Sequence, residues 1–312
     1  MKNLKFVIAQ EPDAYPMSVE NYIYNDKVYL QSKEKAYGKS LSFYALSGKV
    51  AVARIHFFLI KQSNGGVEAV SIPASPFGSF EYDKGLPLQA LTYFVNHIKQ
   101  HLLARNADRI VIRDCIHAYR PEKNTAMPKV MEQTGFSVSD QMINHHILID
   151  EESMALKLGR GKFRRVKECQ EAGFVVQKKS IEDIEEIYTF LYQCYASKRR
   201  KLSLSLPQLR EQVLGMPDCY PLFAVYDQQK MIAASVTVKV NPRILYTFYY
   251  AALSEYNYWS PTTFLLYTIY QYCQENSISI MDMGTSLSGS VAHFKAYMGG
   301  VPSSKFTYQY CI

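Results

Sequence analysis

The order of elements read between residues 87 and 149 recurs between residues 261 and 311, and this repeat restricts the chain more than any other feature. In each copy a proline, Pro87 or Pro261, opens an apolar-periodic helix at the position where its missing N–H costs no hydrogen bond. A short apolar strand ending in aspartate follows: Ile110-Val111-Ile112-Arg113-Asp114 in the first copy, Ile278-Ser279-Ile280-Met281-Asp282 in the second. Next comes a helix stopped by glycine, at Gly135 and at Gly299-Gly300, and then a closing strand, Ser137–Ile149 or Lys305–Cys311. Each copy needs its own core, and 312 residues suit two domains of roughly 150 residues. The expectation is an α/β fold of the α+β mixed-sheet type, divided into residues 1–150 and 151–312. Two copies do not make a solenoid.

The second half reads in the order β-α-α-β-β-β-α-β-α-β. Ser180 and Asp183 begin a helix whose Ile184, Ile187, Tyr188, Leu191 and Tyr195 recur at three and four residues. Leu206–Leu214 is a second helix, and strands at Leu222–Tyr226, Met231–Val240 and Ile244–Ala252 follow. Ser260 is read as the cap of the helix that Pro261 opens. In the first half, Leu41–Leu46, Val50–Ile60 and Val67–Ile72 read as strands, whereas the first forty residues carry no readable pattern.

Apolar residues are 48% and charged residues 20%, a globular balance that excludes a disordered chain. The longest apolar run, Val50–Ile60, is interrupted by Arg54 and His56, well short of the roughly 20 residues a membrane helix needs. Residues 1–16 lack the apolar stretch and cleavage site of a secretory signal, so a cytoplasmic protein is expected. Six cysteines without paired spacing imply reduced thiols, with neither a disulfide frame nor a metal site. Charge is concentrated: residues 157–201 hold twelve basic and six acidic side chains, six of the net +7. Such a window is either a solvated helix face or the contact surface for an anionic partner such as RNA or phosphate.

No G-x-S-x-G turn and no Ser–His–Asp set is evident, so no covalent nucleophile is expected and Ser286 reads as a loop hydroxyl. His145 and His146 are adjacent in a strand, where neighbouring side chains point to opposite sides, which argues against a shared metal. Tyr246, Tyr249, Tyr250, Tyr256, Tyr258 and Trp259 form an aromatic concentration, suited to packing and, for Tyr249 and Tyr250, to contact with a sugar or peptide.

Three stretches carry a resemblance: Ser75-Pro76-Phe77-Gly78; the basic segment 161–167 through Ala172-Gly173-Phe174; and 281–286 followed by Phe294-Lys295 and Gly299-Gly300. The chain resembles the FemAB family, whose members join two GNAT acyltransferase units and include the aminoacyl transferases of peptidoglycan bridge formation. The resemblance implies two tandem GNAT-like units, the first non-catalytic and the second catalytic. It further implies an activated donor, acyl-CoA or aminoacyl-tRNA, as co-substrate with no permanently bound cofactor, and a cell-envelope or polysaccharide precursor as acceptor. It directs attention to Lys295, four residues before Gly299, where many GNAT enzymes carry the tyrosine that protonates the leaving group. The same count from Gly135 lands on Met131, which has no useful proton. Asp282 is the matching candidate base, although aspartate before a strand-ending turn is also ordinary turn chemistry. Arg164, Arg165, Tyr249, Tyr250, Ser286 and Phe77 are the candidate donor or substrate contacts. One departure concerns coenzyme A: residues 253–259 contain no glycine where GNAT enzymes wrap the pyrophosphate in glycine-rich backbone. That departure keeps open a second reading, a non-catalytic GNAT-like protein binding an anionic ligand.

Overall fold

The computed structural model describes residues 4–120 and 126–312. The chain divides into two compact units, Met1–Met142 with Ser304–Ile312, and Ile143–Ser303. The division therefore precedes the expected cut at residue 150, and residues 304–312, expected in the second unit, belong to the first. The reason is a strand pairing. The final strand β13 (Val301–Cys311) runs antiparallel to β6 (Arg109–Arg113), from Thr307↔Arg113 to Cys311↔Arg109.

In the first unit β1 (Leu4–Ala9) pairs with β2 (Leu41–Ser47), β2 with β3 (Val50–Lys61), and β3 with β4 (Val67–Val70), all antiparallel. β4 runs parallel to β6, so a crossover is required, and α2 (Leu88–Leu103) supplies it. The apolar stripe of α2, Leu91, Phe94, Val95, Ile98 and Leu102, and that of α3 (Ala126–Gln133) pack on Phe43, Ile55, Ile110 and Ile112 of the sheet. The unread amino-terminal residues form β1 and a helix, α1 (Lys27–Tyr37), capped by Asp26, whose side chain accepts from Val28 N at 2.8 Å. A two-residue strand, β5 (Glu81–Tyr82), sets Glu81 directly opposite Arg54 of β3, and both are buried.

Gly78 has no substitute. A Cβ built there would lie 2.3 Å from the Ser71 carbonyl oxygen. Gly78→Ala is expected to cost about 1–3 kcal/mol through forced backbone movement, and to lower Tm by about 2–10 °C in thermal unfolding. An unchanged Tm would show that the 71–78 loop yields freely.

The second unit begins within β7 (Ser137–Leu148) and continues through α4 (Met154–Lys157), α5 (Arg160–Glu171), β8 (Val175–Lys179), α6 (Ile184–Ser197) and α7 (Leu206–Gly215). It then runs β9 (Leu222–Asp227), β10 (Lys230–Asn241), β11 (Ile244–Ala252), α8 (Pro261–Glu275), β12 (Ile280–Thr285) and α9 (Gly289–Tyr297). From β8 onward this is the element order read from the sequence; α5 went unread. Its strands lie in the order β7-β12-β11-β10-β9-β8. The capping box at Ser180 and Asp183 is present. Ser260 caps no amide with its side chain; its backbone is left-handed (φ 57°), and its amide ends the preceding turn on Asn257 O. Leu265, Leu266 and Ile269 of α8 fill a core with Val225, Ile232, Leu245 and Met281.

β11 and β12 are parallel neighbours for only three residue pairs, ending at Tyr246↔Asp282. Beyond that point β11 continues to Ala252 and β12 to Thr285 without facing each other. The candidate site lies where the two strands part.

Candidate active site

The carboxyl end of β12 and the last turn of α9 meet in the second unit. Ser288 caps α9, accepting from Val291 N at 3.4 Å, and the helix carries Lys295 back toward the strand end. Only 2% of Lys295 is exposed. Its Nζ donates to the carbonyl oxygens of Gly284 at 2.7 Å and Thr285 at 2.9 Å. An ammonium carries three N–H donors, and the third has no partner among the described residues. Burial lowers the ammonium pKa to about 8, opposed by the negative charge of Asp282.

Asp282 is buried. Its Oδ1 accepts from Gly284 N at 2.6 Å and from Asn144 Nδ2 at 3.4 Å, while its carbonyl accepts from Thr247 Oγ1 at 3.1 Å. The carboxylate therefore shapes the turn that presents two carbonyls to Lys295. Gly284 holds φ at 76°, and a Cβ there would come within 3.1 Å of the Tyr246 ring. Around this centre the phenols are held neutral. Burial raises Tyr246 and Tyr250 far above the ordinary tyrosine value, helped by Asp282 in both cases and by Tyr195 of α6. Tyr195 itself is pushed up to about 12 by burial and the neighbouring Tyr249.

The strand-end turn reaches across to β7. Ser286 N donates to Ile143 O at 2.8 Å, Thr285 Oγ1 donates to Asn144 Oδ1 at 2.8 Å, and Ser286 Oγ lies 2.8 Å from His145 Nδ1. His145 and His146 do point to opposite sides: His145 meets Ser286, and His146 pairs in register with Asp282. Burial lowers both imidazole pKa values; the Lys295 charge adds to the effect at His145, and Asp282 opposes it at His146. The His146 Nδ1 is buried without a partner among the described residues. His145 was missed as a site residue because its meaning lies in Ser286, 141 positions away.

Lys295, Asp282 and Ser286 are thus brought together at one turn, Tyr250 packs against the core of the same unit, and the other candidates lie apart. Tyr249 spends its hydroxyl on Leu204 N at 2.9 Å and Ser203 Oγ at 2.5 Å, with its ring stacked on Phe248. Arg164 and Arg165 both pair with Glu168 on their own helix, at 3.4 Å and 2.7 Å, and Arg165 also lies over the Tyr258 ring. Phe77 belongs to the first unit, 3% exposed, packed edge-on against Tyr22, Tyr24 and Tyr119.

Residues 159–296 match the family model described as an acetyltransferase (GNAT) domain. The second half is thus similar to a GNAT acyltransferase domain. No curated protein matches the chain. Among solved structures FemX is similar, with a TM-score of 0.77 at 13% identity over 94% of this chain and 93% of that one. A tandem GNAT protein from the clavulanic acid biosynthesis pathway has a TM-score of 0.57 at 11% identity, covering 99% and 98%. L-PGS from Bacillus licheniformis has a TM-score of 0.58 at 11% identity, covering 93% of each chain. At these identities the likenesses show a shared fold, in keeping with the FemAB-like resemblance.

Ahead of α8 the chain pairs its own side chains. Tyr256 donates to Asp227 at 2.9 Å, Glu255 pairs with Lys230, and Trp259 packs edge-on against Phe174. In the first unit the counterpart of Asp282 is Asp114, which is paired with Arg120 and accepts from Ser79 Oγ and from Cys115 N. The counterpart of Lys295 is Met131, fully buried in the core. Among the described residues no helix is long and apolar enough to cross a membrane.

Proposed function

We propose that the second unit transfers an acyl or aminoacyl group from an activated donor to an amine or hydroxyl of a cell-envelope or polysaccharide precursor, without an acyl-enzyme intermediate. The observation that carries this reading is the buried Lys295 ammonium, anchored by two carbonyls at the mouth of diverging strands with one N–H left over. Acyl transfer builds negative charge first on the carbonyl oxygen and then on the leaving atom. A fixed, buried cation stabilises both and can give the leaving atom a proton. Asp282 keeps the turn in shape and offsets part of the desolvation of Lys295. The first unit, with Arg120 on Asp114 and methionine in place of lysine, is read as non-catalytic.

Two features favour aminoacyl-tRNA over acyl-CoA as donor. Residues 253–259, ahead of α8, contain no glycine to wrap a pyrophosphate. In addition, Lys198, Arg199, Arg200 and Lys201 follow α6 as a run of exposed cations, suited to a phosphate backbone. The missing glycine-rich turn is also what favours the second reading, a non-catalytic protein that binds an anionic ligand.

Thermal-shift measurements with acetyl-CoA and with a mixture of charged tRNAs separate these readings. Stabilisation by charged tRNA that Lys295→Met weakens is expected. Stabilisation by acetyl-CoA alone would reverse the donor assignment, and a shift with neither would remove the transferase reading.

A further inference from the structure

We propose that Ser286 and His145 form the proton-accepting arm of this site, Ser286 touching the acceptor and His145 acting through it. The inference rests on the transferase reading above and adds to it the group that deprotonates the acceptor. Asp282 is poorly placed for that task, because Gly284 N and Asn144 already hold its Oδ1.

Four observations place the arm. Ser286 is half-buried and directly follows Thr285, whose carbonyl holds the Lys295 ammonium, so hydroxyl and cation belong to adjoining residues of one turn. Its Oγ is 2.8 Å from His145 Nδ1. The backbone bond from Ser286 N to Ile143 O, also 2.8 Å, ties that turn to the strand bearing the histidine, so the pair is fixed by backbone pairing as well as by side chains. Finally, His145 is only 5% exposed, which shields the imidazole from bulk solvent.

The charged groups facing the imidazole are Lys295 from α9 and His146 from its own strand, and both oppose its protonation, as burial does. A neutral imidazole whose proton sits on Nε2 can accept the Ser286 hydroxyl proton at Nδ1. The step then balances. The lone pair of a neutral amine or hydroxyl forms the new bond to the acyl carbon. Its proton passes to Ser286 Oγ as the serine gives its own proton to His145. The bond to the leaving atom breaks, that atom keeps the electron pair, and Lys295 gives it a proton. The imidazolium's proton returns to the lysine through water admitted as the product leaves.

The test uses the full chain with charged tRNA or acetyl-CoA as donor and hydroxylamine as acceptor, following hydroxamate formation against pH. Ser286→Ala and His145→Gln are each expected to lower kcat by about 100-fold with the donor KM unchanged, and to remove the acidic limb of the pH profile. Ser286→Thr is expected to retain most activity. Nitrogen-15 spectra of wild type at pH 7 are expected to show the His145 proton on Nε2. Variants that transfer within twofold of wild type, a proton on Nδ1, or an acyl group found covalently on Ser286 would each overturn the relay while leaving the transferase reading intact. Absence of transfer by wild type with both donors, by contrast, removes the reading and the relay together.

Discussion

Lys295→Met is expected to reduce transfer by about 10²–10³-fold, the loss found when one preorganised donor to a developing oxyanion is removed. The fold should survive. An ammonium that is 2% exposed, with its pKa lowered to about 8, is held in its charged form against burial. The gap from the ordinary lysine value corresponds to about 3 kcal/mol that the charged form costs the folded state at neutral pH. Methionine fills the same slot without that cost, though it leaves the Gly284 and Thr285 carbonyls without their donor. The expected result is therefore a Tm equal to or above wild type at pH 7, together with lost turnover. The pH dependence has a definite sign. Because the folded pKa lies below the unfolded one, the unfolded chain holds the extra proton between about pH 8 and 10.5, so the contribution of Lys295 to stability rises with pH across that window. Activity moves the other way, falling above about pH 8 as the ammonium is lost. Thermal unfolding and turnover measured from pH 6 to 10 check both. A variant that unfolds at room temperature, or that keeps full turnover, would remove Lys295 from the mechanism.

The second large effect lies in the first unit. Arg54 directs Nε and Nη2 at Glu81, with Nε at 2.9 Å, and its Nη1 donates to Pro12 O at 3.3 Å. Tyr22 N donates to the other carboxylate oxygen. The two side chains are 3% and 1% exposed, and burial raises the Glu81 carboxyl above its ordinary value although Arg54 pulls it down. Arg54→Ala leaves a carboxylate enclosed without its cation, which typically costs about 3–5 kcal/mol. The deficit should shrink as pH falls, because protonation removes the uncompensated charge. Arg54→Met combined with Glu81→Leu should recover most of the loss, since an apolar pair needs no partner charge. Calorimetry at pH 7 and pH 5 on the single and double variants checks this; equal Tm values for all three would mean that water reaches the pair.

Lys295 was singled out through the resemblance, by counting four residues back from the helix-stopping Gly299, and its burial became visible only in the fold. The second-half elements were legible locally: a helix such as α6 carries Ile184, Ile187 and Leu191 on one buried face, and proline or a capping box marks its start. α1 was not legible because its buried face includes Lys33, whose ammonium is tied to Ala74 O at 2.9 Å, so the apolar period is broken. α5 buries only Val166 and Cys169, too little to register against eight charged or amide side chains. The same helix explains Arg164 and Arg165. Their charge is visible in the sequence, but its neutralisation by Glu168 becomes visible only when three- and four-residue spacings are known to be helical. Tyr249 and Tyr250 are neighbours in sequence, and only the alternation of β11 sends one hydroxyl to the Ser203–Leu204 backbone and the other ring toward Asp282.

The strand that closes the first unit comes from the far end of the chain. During synthesis, β6 therefore waits on the ribosome with one edge unpaired until residues 307–311 emerge, nearly two hundred codons after its own. Domains usually fold in the order in which they are made. Here the amino-terminal unit finishes last, and a nascent chain stalled in between offers a bare β edge to any neighbouring polypeptide.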